Sequence, residues 1–316
     1  MSTHEVREQA SGVNGDRTIE RVAVHVGNSM RTIRETFRAY LARVPQLHHL
    51  SHYTQTDWDF SIGAPSRTDH AVMGSNLVAA LTRLNDLLTP VGTGALIRVV
   101  THCDGGAVLC NTIMQGERAV GVALDPSSRH SLRDEPTRQA DMAVAELVTE
   151  LRAGFGQRSQ DPGGFQNAEL DNSLRWVPPE IHGDLDARIR AVLDPLDLQY
   201  VAVLHEGRLI VVNDVFDEGA TEVFFRAGHT PAGRRDFYAR FLPTLQQHSL
   251  DIGGIVNATI GRNMRRLVLD VQRGAICAYR VDPRTTLVGI TLNQDQVALT
   301  DIKTEWLSRT PHPDAG

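Results

Sequence analysis

The sequence is nearly without lysine: of its 32 lysines and arginines, Lys303 is the one lysine. Arginine suits carboxylate pairing, and its use here also fits a GC-rich coding bias. Cysteine is scarce. Cys103, Cys110 and Cys277 make an odd set of 3 with no CxxC spacing. That excludes a disulfide framework and a zinc cluster and points to a reducing compartment. No apolar run is long enough to cross a bilayer. The N-terminus carries Glu5, Arg7 and Glu8 where a signal peptide needs an apolar core. The expected location is the cytoplasm, away from membranes. A basic excess is also missing. The net charge is −6 with acids and bases interspersed, which argues against a nucleic-acid partner. Signature motifs are absent too: there is no GxxxxGK, GxSxG, HExxH or EF-hand loop. The expectation is a protein without catalytic residues, cofactor or metal.

What is present is an ordinary globular composition, 41% hydrophobic over 316 residues, enough for two domains. Residues 1–18 are polar and read as a disordered tail. A first module is expected over 19–155, a turn-rich linker over 156–179, a second module over 180–308, and a short tail over 309–316. In the first module a helix is expected from Glu20 to Val44, with Ile33, Phe37 and Leu41 on one face. A hairpin follows, Leu47–Thr54 and Trp58–Ile62. A second helix, capped by Thr68 or Asp69, runs to Leu88. Three strands, Ala95–His102, Ala107–Met114 and Arg118–Leu124, lead to a helix opened by Pro136. The second module repeats this order: a helix over Leu185–Leu193, then strands Tyr200–Leu204 and Arg208–Val215. An extra strand is expected over Glu222–Ala227. A long helix from Asp236 to Ile260 contains Pro243 and Gly253-Gly254, which should bend or split it. Three more strands and a helix over Gln294–Leu307 complete it.

The two strand triplets align without a gap at an offset of 168: Arg98 with Arg266, Val100 with Val268, Gly106 with Gly274, and Leu124 with Leu292. The shared order of elements favours duplication. The fold class is therefore α+β, with two tandem α/β modules, each an antiparallel sheet of five or six strands packed with helices.

The hairpin Val99–Asn111 with its third strand Val120–Asp125, and Leu267–Val281 with Val288–Asn293, sit in an order that resembles the roadblock family, a profilin-like fold related to dynein light chains. The extra strand over Glu222–Ala227 resembles the type III secretion chaperone-like family instead. Both resemblances imply non-catalytic, dimer-forming interaction modules. The first implies a regulator or scaffold for a small Ras-like GTPase, the second a protein that holds a client segment. A tandem of either kind is expected to self-associate, as an internal pseudo-dimer with edge strands paired. A third class, a small-molecule sensor or enzyme with dispersed residues, stays open because such sheets can enclose ligands.

Three clusters carry chemistry on paper. His48, His49 and His52 with Asp57 or Asp59 have metal-ligand groups, yet neighbours on a strand point to opposite faces. His102-Cys103-Asp104 reads as a hairpin end, since a reactive thiol needs an electropositive setting. Arg262, Arg265 and Arg266 form a basic patch suited to an acidic partner. The partner-binding candidates are Met73, Leu77, Leu81 and Leu84, with Arg262 and Arg265. The four apolar residues belong to a stripe on the second helix wider than one packing face requires. Its excess should meet either the other module or an external partner.

Overall fold

The computed structural model describes residues 6–11, 18–26, 30–65, 69–124, 135–156, 173–181, 183–225, 229–260 and 263–309. The strands are β1 (Val6–Ser11), β2 (Thr18–Ala23), β3 (Leu47–Thr54), β4 (Asp57–Gly63), β5 (Leu96–Cys103), β6 (Gly106–Met114), β7 (Glu117–Leu124), β8 (Tyr200–His205), β9 (Arg208–Asp214), β10 (Met264–Val271), β11 (Gly274–Arg280) and β12 (Thr285–Thr291). The helices are α1 (Arg31–Arg43), α2 (His70–Leu88), α3 (Glu135–Gly154), α4 (Leu185–Val192), α5 (Pro231–Ile260) and α6 (Val297–Ser308).

All strands join one 12-stranded sheet, ordered β1-β2-β4-β3-β7-β6-β5-β10-β11-β12-β8-β9, with every neighbouring pair antiparallel. The α+β class stands. The expected pair of separate five- or six-stranded sheets does not, because β5 and β10 pair edge to edge and merge them. Seven strands come from the first half and five from the second.

Helices cover both faces. On one face α2 and α5 lie side by side over a core that mixes the halves, including Leu77, Leu84, Leu88, Val99, Phe241, Leu245, Ile252 and Leu269. On the other, α1 and α3 cover the first half around Phe37, Phe60, Val144 and Leu147. There α4 and α6 cover the second half around Ile189, Val201, Val203 and Leu307. The Asp69 carboxylate caps α2 by accepting from the Ala71 and Val72 amides, a contribution of about 1 kcal/mol.

The two triplets turn in the same way. Gly106 and Gly274 open β6 and β11 at φ +147° and +100°, and a Cβ on either would lie 2.0 Å from a backbone oxygen, Ala123 O or Thr291 O. Those two oxygens are themselves 168 residues apart. Only glycine fits such a position.

Several boundaries differ from the sequence reading. Val6–Ser11, assigned to a tail, forms β1 on β2. The first helix begins at Arg31 rather than Glu20, because Thr18–Ala23 pair with β4 as β2. The extra strand expected over Glu222–Ala227 is a short 3-10 helix, Gly219–Phe224. Thr221 holds it by donating its hydroxyl to Phe216 O and Glu218 O. Residues 226–228 lie outside the described residues, as do 157–172 of the expected linker and 310–316 of the expected tail. Helix α5 is not split at Pro243 or Gly253-Gly254 and runs from Pro231 to Ile260.

Candidate functional site

The sheet's centre is a polar seam with approximate twofold character. In the β5–β10 ladder Val100 pairs with Val268, so the residue at the centre faces its own counterpart at offset 168. On either side Arg98 pairs with Asp270 and Arg266 pairs with His102. Each arginine also reaches a carboxylate from the covering helix. Arg98 bonds Asp141 of α3 and Asp270, with Nε–Oδ1 of Asp141 at 3.0 Å. Arg266 bonds Asp301 of α6, with Nε–Oδ1 at 2.9 Å, and meets His102 Nδ1 at 2.8 Å.

Both guanidinium groups are about 1% exposed. Burial alone would lower their pKa values. The carboxylates outweigh it, Asp141 and Asp270 for Arg98 and chiefly Asp301 for Arg266, and both stay raised. Arginine is the residue for such a place, since it keeps its charge and satisfies two carboxylates at once. Tyr279 completes the second cluster by donating its hydroxyl to Asp301 Oδ1 at 2.9 Å.

The α2–α5 pair lies on the opposite face of the sheet from these two clusters, which meet α3 and α6. Met73, Leu77, Leu81 and Leu84, the apolar partner-binding candidates, are all buried, between 0% and 5% exposed. They sit in the core shared with α5, so the other half covers that side of the stripe. What α2 leaves open is narrower: Val72 at 56% and Leu87 at 39%, with Leu250 of α5 at 49%. Arg265 is exposed, and its guanidinium is engaged by Asp104, Nε–Oδ1 3.0 Å, which ties β10 to the β5–β6 turn. Arg262 lies outside the described residues. The lone lysine is structural. Lys303 Nζ donates to Asp197 Oδ1 at 2.6 Å and to Val192 O at 3.1 Å.

The histidines divide among three environments. His48 Nδ1 lies 3.0 Å from Gln46 O. His49 Nε2 lies 2.8 Å from Ser51 Oγ, and its ring meets that of His70 in a tilted contact, centroids 4.2 Å apart. Burial, then His70 and Arg21, hold the His49 pKa well below its ordinary value. His52 Nδ1 donates to Asp59 Oδ2 at 2.8 Å, and His25 Nε2 lies 3.0 Å from Asp59 Oδ1. Burial would lower the His52 pKa, but Asp59 and Glu117 raise it. Among the described residues no group of three His, Cys, Asp or Glu side chains is placed to hold a metal ion.

Cys103 is fully buried, and burial, with Asp104, pushes its thiol up to about 12. His102 is engaged by Arg266 instead. The structure therefore does not bring the His102-Cys103-Asp104 string together as a nucleophile. Among the described residues no helix is long and apolar enough to cross a membrane.

The sequence reading missed Asp141, Asp270 and Asp301 as seam residues. Arg98 and Arg266 stood in the alignment as equivalent positions, and an arginine inside an apolar strand was the available signal.

No family model matches the chain, and no curated protein matches it. Among solved structures it is similar to the crystal structure of a Roadblock/LC7 domain from Streptomyces avermitilis. That alignment has 14% identity and a TM-score of 0.31, and covers 38% of this chain and 94% of that one.

Proposed function

We propose that the chain is a non-catalytic scaffold made of two roadblock-like halves that form a pseudo-dimer within one polypeptide. The observation that carries this reading is the pairing of Val100 with Val268, flanked by the two arginine–carboxylate clusters. A module that dimerises through this strand would place the same residue opposite itself at the twofold axis. A tandem version satisfies that surface inside the chain, so binding falls to what remains outside. The outward side of the helix pair, with Val72, Leu87 and Leu250 among polar residues, is the proposed partner surface. The partner class is the one the roadblock resemblance implies, a small Ras-like GTPase. The chaperone-like alternative rests on a third early strand over Glu222–Ala227, of which Glu222–Phe224 lie in a 3-10 helix.

The test is retention of a small GTPase encoded beside this chain's gene, loaded with GDP or a GTP analogue, on the immobilised protein. The expected result is retention that depends on the nucleotide and is lost in Leu87→Arg at unchanged Tm. Retention of neither form, or equal retention by Leu87→Arg, contradicts the assignment.

A further inference from the structure

The two halves differ along α5 where it faces β10 to β12. A cavity of about 240 Å³ opens there, between α5 and the strands β10, β11 and β12. From the helix it is lined by Gln246, Ser249 and Gly253, and from the strands by Arg265, Arg266 and Arg280. At the offset of 168 the first half has Val78, Leu81 and Asn85 in place of the three helix residues. Val78 and Leu81 are 0% exposed and belong to the core. Neighbouring positions keep their apolar character in both halves: Leu77 with Leu245, Leu84 with Ile252, and Leu88 with Val256, all buried. Bulk and apolar surface are thus missing from the second half at this one place on the helix.

The substituted residues leave polar atoms without partners. Gln246 Nε2 donates to Thr286 Oγ1 at 3.2 Å and to Arg284 O at 3.3 Å, which fixes the amide. Its Oε1, and Ser249 Oγ, are shielded from solvent and meet no hydrogen-bonding group among the described residues. Leaving such atoms unpaired is unfavourable, a cost a packed helix face has no reason to carry. The lining contains no acid, and its charge comes from Arg265 and Arg280, because the Arg266 guanidinium lies on the other face of the sheet with Asp301 of α6. Arg265 is neutralised by Asp104. Arg280 is half-buried, donates from Nε to the Asp282 backbone oxygen, and forms no ion pair among the described residues.

We propose that this cavity is a binding site for a small hydroxylated anion, with its acid group at Arg280 and a hydroxyl donating to Gln246 Oε1. The site goes beyond the scaffold reading and does not depend on a GTPase partner. It makes the second half a ligand-sensing half and the first its filled counterpart.

The experiment is a titration of isotopically labelled full-length protein, following the backbone amides of Ser249, Gly253 and Gly254 by NMR. The probes are glycerol 3-phosphate, inorganic phosphate and glycerol. The expected result is a saturable shift with glycerol 3-phosphate, a weaker response to phosphate, and none to glycerol. Arg280→Gln should weaken binding about tenfold or more, as loss of a charged hydrogen bond does. Ser249→Leu, which restores the first half's residue, should abolish binding without lowering Tm. If Ser249→Leu does not fold, Arg280→Gln decides. No saturable shift with glycerol 3-phosphate, an equal response to glycerol or to phosphate, or unchanged affinity in a folded variant overturns the proposal.

Discussion

Arg98 of the first half and Asp270 of the second face each other across the β5–β10 ladder, both buried, with Asp141 of α3 on the same guanidinium. The pair ties the two halves at the middle of the sheet. Removing one member of a buried, hydrogen-bonded pair leaves the other charge uncompensated. Arg98→Met is therefore expected to lower stability by about 3–5 kcal/mol. Arg98→Met combined with Asp270→Leu should recover part of that loss. Denaturant unfolding of the two variants checks it, and equal stability of single and double variants would show that the pair is not coupled.

Leu77 is 1% exposed in the core shared by α2 and α5. Leu77→Ala is expected to cost about 2–5 kcal/mol, the range for emptying a packed site. Leu77→Asp should cost more, by adding a buried unpaired charge. Loss of one cooperative transition for the whole chain, seen by calorimetry, is the expected outcome for Leu77→Asp. Unfolding of the first half alone would mean that the helices do not share a core.

His49 and His52 have opposite pH behaviour. The His49 pKa is depressed in the fold by burial, so its contribution is full above the ordinary imidazole value of about 6.5 and is lost as pH falls through the depressed value. The His52 pKa is raised against burial by Asp59 and Glu117, so its contribution is full below about 6.5 and is lost as pH rises through the raised value. His49→Gln should flatten the acid side of a stability–pH curve, and His52→Gln the neutral side. Identical curves for both variants would contradict these environments.

Much of this arrangement was legible in the sequence. The strand triplets, the early hairpins and the capped α2 followed from alternation, turn glycines and Asp69, because these are local signals. The offset of 168 placed Val100 against Val268 as equivalents, yet nothing local says that equivalent residues also pair in space. Strands β1 and β2 were hidden for a related reason. Polar residues such as Glu8, Gln9 and Glu20 read as tail or helix, and Glu20 is held by Arg34 and Arg38 only once α1 has folded over it. The stripe on α2 is legible as an apolar run, but only the structure separates Met73, Leu77, Leu81 and Leu84, buried in the core shared with α5, from the exposed Val72 and Leu87. The cavity beside α5 left a trace in Gln246, Ser249 and Gly253, but only against their first-half counterparts.

The pseudo-dimer is tested most directly by cutting the chain. A protease site placed within residues 157–172, outside both halves' described elements, separates them covalently, and light scattering after gel filtration then gives the particle mass. With a shared α2–α5 core and the β5–β10 ladder joining the halves, the expected result is that both fragments co-elute at the mass of the uncut chain and part only in denaturant. Two folded fragments eluting separately, each at its own mass, would contradict it.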